Sequence, residues 1–265
     1  DKFDDCWEPF FKLFEKFWPD YKGKIYLNTE YKEFSYGALD IVSLKVAEKN
    51  KDAHLITWSE CLIRALDAIE EDVVLYLQED YFLKDFVKND IFESFSQLMN
   101  TQKSIDCIQL TDQAVISDGK SEFPNLNKAA LKQRYRISCQ AALWQKDVLY
   151  SYLKPEESAW EFEEFGSKRA EIIAHNFYVV DTSWVRLNEF EIIPYVFTGV
   201  IGGMWFNEVV PLFKENKIDL DYSIRGFHEN RKPKSLSKKI EYHIKKIPIR
   251  IKNEIDLLRL KRKYY

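Results

Sequence analysis

Glu70-Glu71-Asp72-Val73-Val74-Leu75-Tyr76-Leu77-Gln78-Glu79-Asp80-Tyr81-Phe82-Leu83 is the stretch whose reading decides the fold. Val73–Leu77 is an unbroken apolar run between two acidic clusters. A run without alternation is the pattern of a strand buried on both faces, as in parallel sheets covered by helices. Upstream, Leu62, Ile63, Leu66 and Ile69 recur at helical spacing after Ser59. Downstream, Ile91, Phe92, Phe95, Leu98 and Met99 repeat that spacing from Asp90, and Ile105–Leu110 reads as the next strand.

The alternation extends both ways. Trp7, Phe10, Phe11, Phe14, Phe17 and Trp18 mark a first helix, capped by Asp5 and stopped by Pro19, and 24–28 is a short strand. Further on, 134–144 reads as a strand, 146–153 and 156–165 as helices, 177–181 and 192–197 as strands, and 205–216 as a helix interrupted by Pro211. Strands alternating with helices predict an α/β sandwich around a mostly parallel sheet over residues 1–230, followed by a basic helical tail over 231–265.

The chain has 265 residues, 46% of them aliphatic, aromatic or Cys and 31% charged, which excludes disorder. Only 8 Gly and 8 Pro disfavour an all-β protein built on tight turns. Residues 231–265 hold 13 Lys and Arg against 3 Asp and Glu, whereas residues 1–230 hold 26 against 40. An acidic body is not a nucleic-acid binder. Cys6, Cys61, Cys107 and Cys139 stand far apart, as expected of reduced thiols in a cytoplasmic protein. No signal-peptide pattern is visible. The longest uncharged run, Ile192–Asn207, is sixteen residues broken by Pro194 and three glycines. A spanning helix needs ~20 apolar residues.

In α/β sheets ligands bind beyond the carboxyl ends of strands, so Asn28-Thr29, Glu79-Asp80 and Asp112 come under scrutiny. Glu79-Asp80 is the strongest candidate. Adjacent carboxylates at a strand end can hold a divalent cation, which in turn neutralises a diphosphate leaving group. The plain alternative is a solvated strand end or a helix cap.

The segment Trp58-Ser59-Glu60, Arg64-Ala65-Leu66 and Glu70 through Leu83 resembles the first half of bacterial GT-A-fold glycosyltransferases of capsule and lipopolysaccharide biosynthesis. Asp1-Lys2-Phe3-Asp4-Asp5-Cys6-Trp7, Ile25-Tyr26-Leu27-Asn28-Thr29-Glu30, Ser138–Trp144 and Ala159–Glu163 are similar to further segments of these enzymes, so the resemblance spans roughly 1–210. It implies a GT-A-like fold whose usual first strand lies before Asp1. It further implies transfer of a sugar, with inversion, from a nucleotide-diphosphate donor (a UDP-sugar is favoured) to a surface glycan or lipid-linked acceptor. Donor contacts would come from Asp1, Asn28, Thr29, Ser59, Arg64, Glu79 and Asp80. Glu79 and Asp80 would hold Mn²⁺ or Mg²⁺, although the motif reads Gln78-Glu79-Asp80 and not Asp-x-Asp.

An inverting transferase needs a general base, and a carboxylate suits. On a helix over 156–165, Glu157, Glu161 and Glu164 share one face, where crowding would raise their pKa values. Glu161 is the expected base and Glu163 the second choice; the plain alternative is a solvated acidic helix face. The tail interleaves Ile244, Ile247, Ile251, Ile255 and Leu258 with Lys245, Lys246, Arg250, Lys252 and Arg259, and Pro248 is expected to split it into two helices. Such a pattern suits an anionic membrane surface, on the inner face of the cytoplasmic membrane, or packing on the body or on a second subunit of a homodimer. The alternative function is a non-catalytic nucleotide- or glycan-binding module docked at the membrane through its tail.

Overall fold

The computed structural model describes residues 1–47, 56–112, 115–186, 188–231 and 236–265. These residues form an α/β protein with a mixed six-stranded sheet and seven α-helices. In chain order they are α1 (Trp7–Phe17), β1 (Ile25–Leu27), β2 (Ile41–Ser43), α2 (Trp58–Ala68), β3 (Val73–Tyr76), α3 (Asn89–Thr101), β4 (Cys107–Gln109), β5 (Ser117–Lys120), β6 (Leu126–Ala129), β7 (Ala142–Gln145), α4 (Lys146–Tyr152), α5 (Ala159–Ile173), β8 (Phe177–Val180), β9 (Val200–Ile201), β10 (Met204–Trp205), α6 (Val209–Glu215) and α7 (Leu236–Tyr264). Among the described residues no helix is long and apolar enough to cross a membrane.

The main sheet has the order β3-β7-β4-β8-β6-β5, and only β4 and β8 pair in parallel. The expectation of a mostly parallel sheet is therefore corrected. Its cause is visible in the connections. β3, β4 and β8 do run the same way, as helical crossovers dictate. β7 inserts between β3 and β4 in the opposite direction, and the β5–β6 hairpin closes the other edge. Spacing along the chain counts strands; it does not show which later strand slips between two earlier ones.

Val73–Leu77 also differs from its reading. β3 lies at the sheet edge and is half-exposed along its length, while β4 and β8 are the wholly buried strands. β1 and β2 form a separate parallel pair. The Tyr26 hydroxyl joins that pair to the foot of β3 by donating to Glu71 Oε2 at 2.8 Å.

Alternation along each strand feeds two cores. Leu75, Ile108, Leu143 and Tyr178 face α1, α3 and α6. Tyr76, Cys107, Trp144 and Phe177 face α2, α4 and α5. The result is three layers, helices on both faces of one sheet. Helix α7 runs through Pro248 as one element, not two. Its Leu257 and Leu260 pack on Phe165 and Ile172 of α5, and the Lys246–Glu161 and Arg250–Glu164 ion pairs tie the turns on either side of Pro248, where a hydrogen bond is missing, to the same helix. The expected strand at 192–197 is reduced to a single bridge between Tyr195 and Leu83.

Candidate functional site

The carboxyl end of β3 meets the start of β7 and the β9–β10 hairpin. After Leu77 the chain turns, with the Tyr81 N–H donating to the Gln78 carbonyl at 3.1 Å. That turn separates the two adjacent carboxylates. Asp80 points inward and is 9% exposed. Its Oδ2 accepts from Thr198 Oγ1 at 2.8 Å, Val200 N at 3.1 Å and Gly199 N at 3.2 Å. The Gly199 N–H also donates to the Asp80 carbonyl at 2.9 Å. A Cβ at Gly199 would overlap the Phe82 ring and come within 2.9 Å of that carbonyl, so only glycine permits this approach. Burial pushes the Asp80 carboxyl up, and the donors from Thr198, Val200 and Gly199 pull it part of the way back.

Glu79 is half-exposed, yet protein surrounds it closely enough that burial, and then the Asp80 charge, pushes its carboxyl above the ordinary range. A side chain crowded on most sides that still meets solvent lies in a recess. Arg225 opposes the upward shift from a distance, its guanidinium being committed to Asp5 with Nε to Oδ2 at 2.5 Å.

The facing wall is residues 138–141, fixed by a buried polar network. Tyr81 Oη donates to the Cys139 carbonyl, Gln140 Nε2 donates to Tyr81 Oη, and Tyr195 Oη donates to Gln140 Oε1, each at 2.9 Å. The Tyr81 and Tyr195 rings stack with centroids 4.9 Å apart. Cys139 N donates to Oε1 of Glu163, which reaches in from α5, at 2.8 Å. Burial pushes the Glu163 carboxyl up, partly offset by that amide. The Tyr76 hydroxyl, accepting from Gln78 Nε2 at 3.2 Å, is pushed well up by burial first and by charged neighbours that include Glu79 and Glu163. The charges of Glu79 and Glu163, 84 positions apart in the chain, thus both act on one tyrosine hydroxyl.

Glu161 lies elsewhere in the electrostatics. Its Oε2 closes a capping box with Ser158, accepting from Ser158 N at 2.9 Å and Oγ at 2.6 Å, and its Oε1 meets Lys246 Nζ at 3.2 Å. Burial pulls its carboxyl up, but Ser158 and Lys246 more than offset this and hold it below the usual range. A group so held is a poor base. Its expected neighbours are no longer crowded carboxylates. Arg169 grips Glu157 with two bonds, at 2.8 and 2.6 Å, and Arg250 grips Glu164 at 2.6 Å.

The remaining candidates form a second group beside β1. Asp1 accepts from Glu30 N and Tyr31 N at 2.9 Å and from Lys32 N at 3.1 Å. Thr29 is buried, with Oγ1 accepting from Lys45 N at 3.1 Å, and its carbonyl accepts from Val46 N at 2.9 Å. Arg64 donates to the Val46 carbonyl at 3.0 Å and to Glu60 at 2.5 Å. These side chains hold the turns after β1 and β2. Asn28 is exposed beside them. Ser59 is fully buried, its N–H donating to the Glu157 carbonyl at 3.2 Å while its hydroxyl has no partner among the described residues. Reading the sequence singled out none of Tyr76, Thr198 and Gln140 as site residues. Tyr76 and Gln140 sit in segments that carry the resemblance but are not its acidic residues, and Thr198 sits in a segment that carries no motif.

Among the described residues no group of three or more Asp, Glu, His or Cys is arranged to hold a metal ion unaided. Asp80 Oδ2 already faces three hydrogens and is unsuited to a cation. Glu79, half-exposed and raised by burial and then by the Asp80 charge, has the chemistry of the other common arrangement, in which one or two carboxylates share Mg²⁺ with substrate phosphates. A cavity of about 570 Å³ opens between Trp7, Lys12, Phe34 and Asp219. Its lining includes the Lys32–Asp4 ion pair and neither Glu79 nor Glu163, so it is set apart from the carboxylate chemistry. Compared with protein-family models, curated proteins and solved structures, the chain matches none.

Proposed function

We propose that the protein is a GT-A-like glycosyltransferase. It moves a sugar from a nucleotide-diphosphate donor, with a UDP-sugar favoured, to a bacterial surface glycan or lipid-linked acceptor. The observation that supports this reading is that Glu79, at the carboxyl end of β3, and Glu163, bonded to Cys139 N beside it, are both pushed up by burial and both act electrostatically on the Tyr76 hydroxyl. Such paired, perturbed carboxylates are what acid–base chemistry at a cleft requires.

In this reading Glu79 lines the donor diphosphate, and Mn²⁺ or Mg²⁺ held there would neutralise the leaving phosphates. Asp80 positions the 198–200 segment and acts through it. Glu163 replaces Glu161 as the base. Its carboxylate takes the proton of the acceptor hydroxyl as that oxygen bonds to the anomeric carbon. The carbon–oxygen bond to the nucleoside diphosphate breaks on the opposite face, and the diphosphate departs with the electron pair. Trp160, 72% exposed and one helical turn before Glu163, offers an aromatic platform for the acceptor ring.

One observation favours the alternative, a nucleotide- or glycan-binding module: Asp80, the more buried of the pair, is consumed in holding the chain. Thermal shift with UDP, GDP and CMP, with and without Mn²⁺, followed by donor-consumption assays on wild type and Glu163→Gln, separates the two. Transfer predicts a nucleotide-specific rise in melting temperature and a loss of about 10²–10⁴-fold in rate for Glu163→Gln. A nucleotide-induced rise with no donor consumption under any condition identifies a binding module. A rate within about tenfold of wild type removes Glu163 as base.

A further inference from the structure

The two faces of α7 differ in a way that the body does not use. One face is seated on α5. Leu257 and Asn253 are buried there, at 6% and 1% exposure. Ion pairs run from Lys246 to Glu161 at 3.2 Å, from Arg250 to Glu164 at 2.6 Å and from Lys252 to Glu156. The other face carries Ile244, Ile247, Ile251, Ile255 and Leu258, between 44 and 60% exposed. At 100° per residue these five fall within an arc of about 80°, centred about 140° from the Asn253–Leu257 side, and they extend over about 21 Å of helix. An aliphatic stripe of that length is not the scattered exposure of an ordinary surface.

We propose that this outward face of α7 docks the protein on an anionic lipid bilayer. Charge selects the occupant. The charged residues beside the stripe are paired, Lys252 with Glu156, Arg259 with Asp256 and Glu254 with Lys168, and the stripe ends in exposed Lys261, Arg262 and Lys263. Residues 231–265 carry a net +10 and residues 1–230 a net −14. Anionic headgroups attract the first and repel the second, so the molecule approaches a bilayer tail first, with its apolar stripe leading. A second copy is the competing occupant, because Ile244, Ile251 and Leu258 recur at seven-residue spacing. Parallel stripe-to-stripe pairing of two identical helices would set these basic ends near one another, and Pro248 interrupts the hydrogen-bond ladder within the stripe. The bilayer satisfies both charge and apolar area. This inference is independent of the transfer reaction.

The test uses the full chain in vesicle flotation. Vesicles of phosphatidylglycerol with phosphatidylethanolamine are compared with vesicles of phosphatidylcholine alone, at low and high salt. The variants are Ile251→Asp/Ile255→Asp and Lys261→Glu/Arg262→Glu/Lys263→Glu. Both replace exposed side chains, and an unchanged melting temperature verifies that each is folded. The expected result is binding to the phosphatidylglycerol vesicles that weakens with salt, at least about a tenfold loss of partitioning in each variant, and no comparable binding to phosphatidylcholine. Failure of wild type to float with phosphatidylglycerol vesicles overturns the proposal, as does undiminished binding by Ile251→Asp/Ile255→Asp. A dimer in sedimentation velocity that Ile251→Asp/Ile255→Asp abolishes, without vesicle binding, assigns the stripe to a second copy instead.

Discussion

The segment Glu156–Glu164 and the recess at the end of β3 both gather carboxylates, and the fold treats them oppositely. Along the first, four carboxylates each meet a cation: Glu156 meets Lys252, Glu157 meets Arg169, Glu161 meets Lys246 and Glu164 meets Arg250. Three of those cations come from α7. Glu156 and Glu161 end below the usual carboxylate range although burial alone would raise them, whereas burial holds the Glu157 carboxyl above it despite Arg169. In the recess the partners are backbone amides and hydroxyls, and Glu79, Asp80 and Glu163 end above it. Crowding of acidic residues in sequence therefore does not mark a raised pKa. What marks it is burial deep enough to outweigh the cations and hydrogen-bond donors brought to it, as at Glu163 and also at Glu157 despite Arg169.

The largest effect expected from this contrast is at Arg169. Its guanidinium and the Glu157 carboxylate are 6% and 0% exposed, and Arg169 also donates to the Tyr152 carbonyl at 2.7 Å. Arg169→Met leaves a buried carboxylate without its cation, which costs about 3–5 kcal/mol. In a chain of this size the melting temperature should fall by about 10 °C. Glu157→Met/Arg169→Met should recover most of the loss, since a well-packed apolar pair can replace a buried ion pair. Urea titration of the single and double variants measures both. A single variant within about 1 kcal/mol of wild type would mean that Glu157 does not depend on Arg169, and the contrast between the two regions would fail at its strongest point.

The next effect separates the two adjacent carboxylates. Asp80→Ala removes the carboxylate acceptor of Val200 N, while Gly199 N keeps the residue-80 carbonyl and Thr198 Oγ1 keeps the Val200 carbonyl. An unsatisfied buried donor costs about 1–3 kcal/mol, and relief of the buried carboxylate returns part of it, so a net loss toward the lower end of that range is expected. Asp80→Asn retains an acceptor oxygen and should lose less. Glu79→Gln should leave stability near wild type and instead abolish the nucleotide-induced thermal shift. Equal stability losses at 79 and 80 would show that the turn after β3 does not divide their roles.

Much of the layered fold was legible in the residues. Amphipathic spacing located α1, α2 and α3, because one face of each is buried against the sheet, whereas α5, covered by the sheet on one side and α7 on the other, was legible only in its first half. The order of strands was not legible, because β7 pairs with β3 across some seventy residues and no local pattern encodes that. In the site, Glu79 and Asp80 stood out because a strand end followed by two carboxylates is unusual. Their division of labour did not, since it depends on Thr198 and Gly199, more than a hundred positions away. Glu161 drew attention through its acidic neighbours. Its role as the N3 residue of a capping box was present in the spacing Ser158-x-x-Glu161, and that signal could have moved the choice to Glu163.

The smallest effect is a difference of sign, read against pH. Glu163 has a folded-state pKa raised above the ordinary 4.5, so in the window above 4.5 the folded protein binds more protons than the unfolded chain. Stability contributed by this group is full below the unfolded value and is lost as pH rises through the folded one. Glu163→Gln removes that loss. Its stability relative to wild type should therefore improve as pH rises from about 4.5 to neutrality. Glu161 is the reverse case. Its folded value is lowered, so its contribution is present above the unfolded value and disappears as pH falls through the folded one. Glu161→Gln should be destabilised at neutral pH and should converge on wild type in acid. Urea unfolding of both variants and wild type from neutral to acidic pH reads the two slopes directly. Slopes of the same sign would mean that Glu161 and Glu163, two positions apart on one helix, share an electrostatic environment, and the division between the ion-paired segment and the recess would then have no basis in α5.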